Sequence, residues 1–189
     1  ANKYIYDAHE LYIPEKNKRF SIRSRFFYFF EKLAIRKSDF LVCAQEKRGR
    51  IMKEHFKLKK FPLVIRNISK LPQKDNREGS DILERYQDFF SIKATCIVYA
   101  GVIIKSRNID ELVKAVNQLG NDYKLIIIGE GNYSESLNQY IEKLNNRNII
   151  SIGSVPYLGL ATILEKCDIG YLYYPTEGLN NIYCAPNKI

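Results

Sequence analysis

Cysteine and histidine are the scarce residues in this sequence. Cys43, Cys96, Cys167 and Cys184 stand far apart, form no C-x-x-C pair, and are joined by only two histidines, His9 and His55. That pattern argues against a zinc site. Cys43 and Cys96 fall inside predicted strands, and all four cysteines are read as small buried hydrophobes in a reducing cytoplasm. No apolar run approaches the roughly 20 residues that a membrane-spanning helix needs. The start, "ANKYIYDAHELY", has neither an initiator methionine nor a signal peptide and reads as a strand and a turn. The other end, "NIYCAPNKI", reads as the first turn of a helix. A fragment cut inside an element at each end is therefore expected.

Charge of one sign dominates instead. The net charge of the 189 residues is +9. From Lys16 to Lys60 there are 15 Lys and Arg against four acids (Glu31, Asp39, Glu46, Glu54), so the excess sits in the first third of the chain. An anionic partner is implied: nucleic acid, lipid headgroups or phosphorylated small molecules. Helix-turn-helix spacing, zinc-finger spacing and RNP-like motifs are all absent, and no nucleic-acid partner is expected.

The second half of the chain alternates strand and helix. "ATCIVYAG" (94–101) is a β-branched run closed by glycine. In the segment that follows, Ile109, Leu112, Val113, Val116 and Leu119 fall on one helical face. Asn108 is placed as its N-cap, with Glu111 as the capping-box partner. "YKLIIIGEG" is continuously apolar, as suits a strand buried on both faces of a parallel sheet. Ser134 is placed to cap a helix carrying Leu137, Tyr140, Ile141 and Leu144. "NIISIG", a helix in "LGLATILEKC" and the strand "DIGYLYYP" complete four alternations, which predict an open parallel sheet flanked by helices.

The first half shows the same grammar. "KYIYDAHE" is a strand, a long helix spans 18–37, "DFLVCAQ" is a strand, "EKRGRIMKEHF" a helix and "FPLVIRN" a strand. Residues 68–93 are polar, contain Pro72 and Gly79, and hold one helix near Ile82–Phe90. The fold expected is α/β with two Rossmann-like units: a partial first unit over 1–67, a connection over 68–93, and a second unit over 94–189 truncated at its end.

Ligands of open α/β sheets bind beyond the carboxyl ends of the strands. In the second unit that rule selects Gly101 to Arg107, Gly129 to Asn132, Gly153 to Tyr157 and the segment after Tyr174. "AGVIIKSRN" places Gly101 at a strand end, with Lys105 and Arg107 before a helix start. Close backbone approach, free N–H groups and two cations suit a diphosphate; a tight turn with solvated cations is the competing reading. "IIIGEGNY" has Gly129 and Gly131 but lacks the third glycine of a dinucleotide fingerprint. It reads equally as a turn needing positive φ. In "APNKI", Pro186 fits the first position of a helix, where its missing N–H costs nothing. The amides of Asn187 and Lys188, with the Lys188 charge, would meet a phosphate.

The order "YDAHE", "VIRN", "IVYAG…R", "IIIGEG", "IISIGSVP", "DIGYLYYP" and "APNKI" resembles the retaining GT-B glycosyltransferases of family 4. It is most like those of bacterial surface-polysaccharide assembly. The resemblance spans nearly the whole chain. It implies that the second unit binds a nucleoside-diphosphate-sugar, with Gly101, Lys105 or Arg107 and the Pro186–Asn187–Lys188 turn on the diphosphate. Gly129 and Gly131 would line the nucleotide, and backbone near Val155 would face the base. His9 would reach the donor sugar from the acceptor side, flanked by Asp7 and Glu10. No cofactor is implied, and without an Asp-x-Asp no metal is expected. The pattern departs from the family in three places. Val102 stands where many members carry Arg, Tyr183 matches the first Glu of the Glu-x7-Glu pair, and the second Glu would lie two residues beyond Ile189. By itself His9 reads as a side chain fixing a turn through Asp7 or Glu10, and His55 as a surface residue.

One stretch stands outside that pattern. "FSIRSRFFYFFEKLAIRK" aligns Ile22, Phe26, Phe29, Phe30 and Leu33 on a helical stripe, with Phe27, Tyr28 and Ile35 off it. Arg23, Arg25, Lys32, Arg36 and Lys37 surround the apolar surface. Such a helix is buried against protein, or residues 19–37 lie on an anionic membrane surface. The function expected is transfer of a sugar, with retention, to a hydroxyl of a surface-glycan or lipid-linked acceptor. The enzyme would be cytoplasmic, at the inner face of the cell membrane. A nucleotide-sugar epimerase and a non-catalytic binding module are the alternatives.

Overall fold

The structure is a computed structural model that describes residues 3–14, 21–68 and 77–184. These divide into two compact units. One holds the described residues up to 68 together with 175–184, the other the described residues from 77 to 174.

The second unit is organised by the period of two along its strands. Strands β4 (Thr95–Ala100), β5 (Tyr123–Ile128), β6 (Ile149–Ser151) and β7 (Ile169–Gly170) form a parallel sheet in the order β6-β5-β4-β7. Ile97 pairs with Leu125 and Tyr99 with Ile127. These four face α5 (Ile109–Gln118) and α6 (Ser134–Leu144), packing with Ile109, Val113, Val116 and Leu137. The alternate residues Cys96, Val98, Ile126 and Ile128 meet Phe89, Ile163 and partly buried Ile82 and Leu83 on the other side. Each face of the sheet is thus covered, which is why β5 is apolar at successive positions.

That second layer is built from α3 (Arg77–Arg85), α4 (Gln87–Ser91) and α7 (Tyr157–Leu164). The connection expected over 68–93 therefore differs from what is seen: 77–91 is helical and belongs to the second unit. Gly79 acts as a helix contact, because a Cβ there would press on Thr162 of α7. Lys124 fixes α4 from below. It is buried, and its ammonium donates to the carbonyls of Phe89, Phe90 and Ile92 at 3.2, 3.1 and 2.9 Å. A cation at a helix C-terminus satisfies carbonyls that lack intrahelical partners.

The first unit repeats the scheme on a smaller scale. Strands β1 (Ile5–Ala8), β2 (Phe40–Cys43) and β3 (Leu63–Val64) run parallel in that order. They are joined by α1 (Ile22–Lys37) and α2 (Glu46–Phe56). Ala8, Leu11, Ile35, Leu41, Cys43, Met52 and Phe56 form its core, with Leu179 and Tyr183 packed against it. Those last two bracket α8 (Leu179–Ile182), so the segment 175–184, expected to close the second unit, packs with the first.

Three local expectations are corrected. Asn108 does not cap α5 with its side chain: it adopts the left-handed conformation (φ 51°) while its N–H closes a 3-10 turn on Lys105, and Asn tolerates that conformation. Ser134 is the first helical residue of α6, and its hydroxyl accepts from Gly131 N–H at 2.8 Å outside the helix. Helix α1 begins at Ile22, capped by the Ser21 hydroxyl accepting from Ser24 N–H at 3.1 Å; residues 18–20 lie outside the described residues.

Replacing Lys124 by Met keeps the volume and leaves the Phe90 and Ile92 carbonyls without this donor, while Phe89 O keeps Ile92 N–H. Loss of about 2 kcal/mol is expected from such unpaired buried groups, read as a lower urea midpoint with an unchanged slope.

Candidate functional site: the carboxyl edge of the second sheet and the loop after β1

Parallel strands bring their following loops to one edge, and here the loops are tied backbone to backbone. Gly101 N–H donates to Ile128 O at 2.8 Å, Gly129 N–H to Gly153 O at 2.8 Å, and Ile103 N–H to Glu130 O at 3.0 Å. A Cβ at Gly129 would overlap the Gly101 carbonyl, and one at Gly131 the Ile103 carbonyl. Gly129 also has φ +138°, which side chains rarely adopt. Both glycines are accounted for by this contact of loop on loop.

The two cations selected from the sequence stand on this edge with protein partners. Lys105 donates to Asp110 and to the Tyr133 hydroxyl at 3.0 Å, and its ammonium lies over the Tyr133 ring at 4.7 Å. Its side chain is 67% exposed, so the charge still faces solvent. The Asp110 hydrogen bond, with Tyr133 second, raises the ammonium above its usual range. Burial pushes the Asp110 carboxyl up, but the Lys105 hydrogen bond and charge outweigh it and hold the group below its usual range. Arg107 donates from Nη1 to Tyr173 O at 3.0 Å and stacks on the Tyr174 ring at 3.8 Å. It thereby links the loop after β4 to the chain leaving β7, its neighbour in the sheet. The first turn of α5 carries Asp110 and Glu111, so positive character on this part of the edge comes from Lys105 and Arg107.

Val155 is partly buried and packs against the core cluster that contains Ile128 and Ile163. Gly153 before it has φ +72°, and Ser154 N–H points at the Glu130 carboxylate at 3.5 Å. A hollow of about 470 Å³ opens among Gly129, Glu130, Ser134, Asn138, Ser151 and Gly153. Pro186, Asn187 and Lys188 lie outside the described residues.

In the first unit, His9 follows the buried Ala8 at the end of β1. Its ring Nε2 lies 3.4 Å from Asp7 Oδ2, and the side chain is 86% exposed. A second hollow, about 430 Å³, is lined by Tyr6, Asp7, His9, Glu10, Phe27 and Glu31 among others. The Tyr6 hydroxyl donates to Glu31 Oε1 at 2.9 Å. Burial pushes the Glu31 carboxyl up, opposed by that hydrogen bond, and burial with the same partner pushes the Tyr6 phenol up. His55, expected as a surface residue, is exposed, and its Nε2 lies 2.6 Å from the Tyr28 hydroxyl. Burial, then the Lys32 charge, lowers its affinity for a proton.

Several functional candidates were not singled out in the sequence. Tyr133 and Asp110 hold Lys105, Tyr173 and Tyr174 hold Arg107, and Tyr6 with Glu31 floors the first-unit hollow. Arg48 is one of the 15 Lys and Arg between Lys16 and Lys60, yet it is buried. Its spacing to Met52 and Phe56, i, i+4, i+8, is the signal that places it on the inner face.

Comparison with known proteins fits this architecture. The fold is that of the GT-B glycosyltransferases, α/β with parallel sheets flanked by helices. The pneumococcal O-GlcNAc transferase GtfA, solved with UDP and GlcNAc, is 17% identical with a TM-score of 0.60, covering 89% of this chain and 32% of that one. HepE of Anabaena, solved with UDP and glucose, is 15% identical with a TM-score of 0.63, covering 89% and 45%. WaaG, a glycosyltransferase involved in lipopolysaccharide biosynthesis, is 16% identical with a TM-score of 0.61, covering 88% and 49%. The chain thus spans a third to a half of the length of these structures. No curated protein sequence matches it. The family described as glycosyl transferases group 1 matches residues 85–179, more than half of the 189, and that stretch contains the loops after all four strands of the second sheet. The chain belongs to the glycosyl transferases group 1 family.

Proposed function

We propose that this chain is part of a retaining, family 4-like glycosyltransferase that moves a sugar from a nucleoside-diphosphate-sugar to a hydroxyl of a surface-glycan or lipid-linked acceptor. The observation that carries the reading is the carboxyl edge of the second sheet, where Lys105 and Arg107 stand beside loops in close backbone contact. Negative charge grows on the diphosphate as the glycosidic bond breaks, and cations fixed in advance stabilise that charge without reorganising. Arg107, stacked on Tyr174, keeps further guanidinium donors for phosphate oxygens. Lys105 adds a solvent-facing charge, and by the family resemblance Lys188, beside Asn187, would add a third cation. Gly101 lets backbone approach the diphosphate, Gly129 and Gly131 flank the nucleotide, and backbone at Val155 meets the base. By the family resemblance, His9 at the end of β1 is the residue that would meet the donor sugar from the acceptor side. GtfA and HepE were solved with UDP, so UDP-sugars are the first donors to test.

The acceptor reading draws on α1. Phe26, Phe27, Phe29 and Phe30 are half or more exposed, and Ile22 is 87% exposed. The one acid of the helix, Glu31, is turned to Tyr6. The outward surface therefore combines aromatic rings with Arg23, Arg25, Lys32, Arg36 and Lys37. Aromatic groups entering the headgroup layer, and about 1 kcal/mol for each basic residue near anionic lipid, would dock the enzyme at the inner face of the cell membrane beside a lipid-linked acceptor.

Two measurements test these readings on the intact protein. Arg107→Ala and Lys188→Ala are each expected to weaken UDP or GDP binding about tenfold or more, as for a lost charged hydrogen bond, and to change uridine or guanosine binding less than twofold. Equal loss for diphosphate and nucleoside would remove the diphosphate from this edge, and C2 inversion without transfer would assign an epimerase. In vesicle co-sedimentation, binding is expected to phosphatidylglycerol-containing vesicles but not to pure phosphatidylcholine. Arg23→Glu with Arg25→Glu should reduce it at least tenfold; binding indifferent to both lipid charge and these substitutions would refute the membrane surface.

A further inference from the structure

The side chain of Arg48 is buried in the first unit, 7% exposed, and its guanidinium is spent on backbone. Nε donates to Tyr183 O at 2.5 Å, Nη1 to His9 O at 2.7 Å and Nη2 to Asn180 O at 3.3 Å. One planar fork on α2 thus holds two separate stretches of chain: the loop after β1 and the end of α8. Asn180 closes the same junction from the other side. Its Oδ1 accepts from Leu11 N–H at 2.6 Å and its Nδ2 donates to Leu11 O at 3.3 Å, as a neighbouring strand would. Between these anchors the backbone of residues 9–11 is fixed, while the His9 ring stays out in solvent with Asp7 as its neighbour.

We infer that Arg48 is a positioning residue for His9. This rests on the reading of His9 as the group that meets the donor sugar. A side chain so exposed has no packing of its own to set its direction, so its aim depends on the backbone that carries it. The guanidinium supplies that constraint through the carbonyl of His9 itself. Lysine cannot replace it, because a single ammonium lacks the fixed fork that reaches three carbonyls on two segments.

The test uses the intact protein with Arg48→Lys, Arg48→Met and Asn180→Ala. Amide hydrogen exchange reports the clamp without reference to activity. Exchange in residues 9–12 and 180–184 is expected to quicken at least tenfold in both Arg48 variants and less in Asn180→Ala, with β4 and β5 unchanged. Unchanged exchange in 9–12 overturns the inference. Kinetics then reports the consequence. Arg48→Lys should lower kcat for sugar transfer at least tenfold, with the donor KM within twofold. Combining it with His9→Ala should cost no more than the larger single loss. Losses that multiply in the double variant would show Arg48 acting apart from His9 and overturn the inference. A His9→Ala protein with normal turnover sinks the catalytic reading of His9 and the positioning role together, a result distinguishable from slowed transfer with multiplying losses.

Discussion

Backbone contact between the loops after β4 and β5 is the constraint on which the second unit depends. The chain leaving Ala100 and the chain leaving Ile128 approach so closely that neither Gly129 nor Gly131 has room for a side chain. Hydrogen bonds from Gly101 to Ile128 and from Ile103 to Glu130 then set the height of the loop that bears Lys105 and Arg107. The sheet below can impose this only because it is covered on both faces, with successive residues of β5 committed to opposite layers. A substitution at either glycine would be felt at the cations, some residues away, before it was felt in the core.

The elements were legible where hydrophobic period was the whole determinant. "YKLIII" and "ELVKAV" needed no tertiary knowledge, since burial on two faces and on one helical face leave different signatures. The carboxyl-edge placement of Gly101, Lys105 and Arg107 followed from their position directly after a predicted strand of a parallel sheet. What the sequence could not display was competition for the same group. Asn108 looked like a cap until the 3-10 turn before it claimed its N–H. Ser134 looked like a cap until Gly131 claimed its hydroxyl. The polar stretch around Gly79 read as a connection because the value of that glycine lies in Thr162 of another helix, which no local window contains. The same holds for segment 175–184, whose partner Arg48 lies more than a hundred residues earlier.

The basic character of the first third of the chain is not one feature. Arg48 is consumed in the interior by carbonyl groups, whereas the cations of α1 surround aromatic side chains that face outward. Counting charge located a region of interest but could not divide it, because the division depends on which face of each helix meets the core. Glu31 illustrates the point: the single acid of α1 is drawn inward to a phenol, and what is left outside is cationic and aromatic.

The brevity of β7 and β3 has its own consequence. Each pairs over only two residues, Ile169 and Gly170 against β4, and Leu63 and Val64 against β2. A sheet that stops pairing so soon at its margin offers a foreign strand almost no ladder to extend. At these two margins the sheets, apolar as their inner strands are, end in borders too short to template the growth of an aggregate.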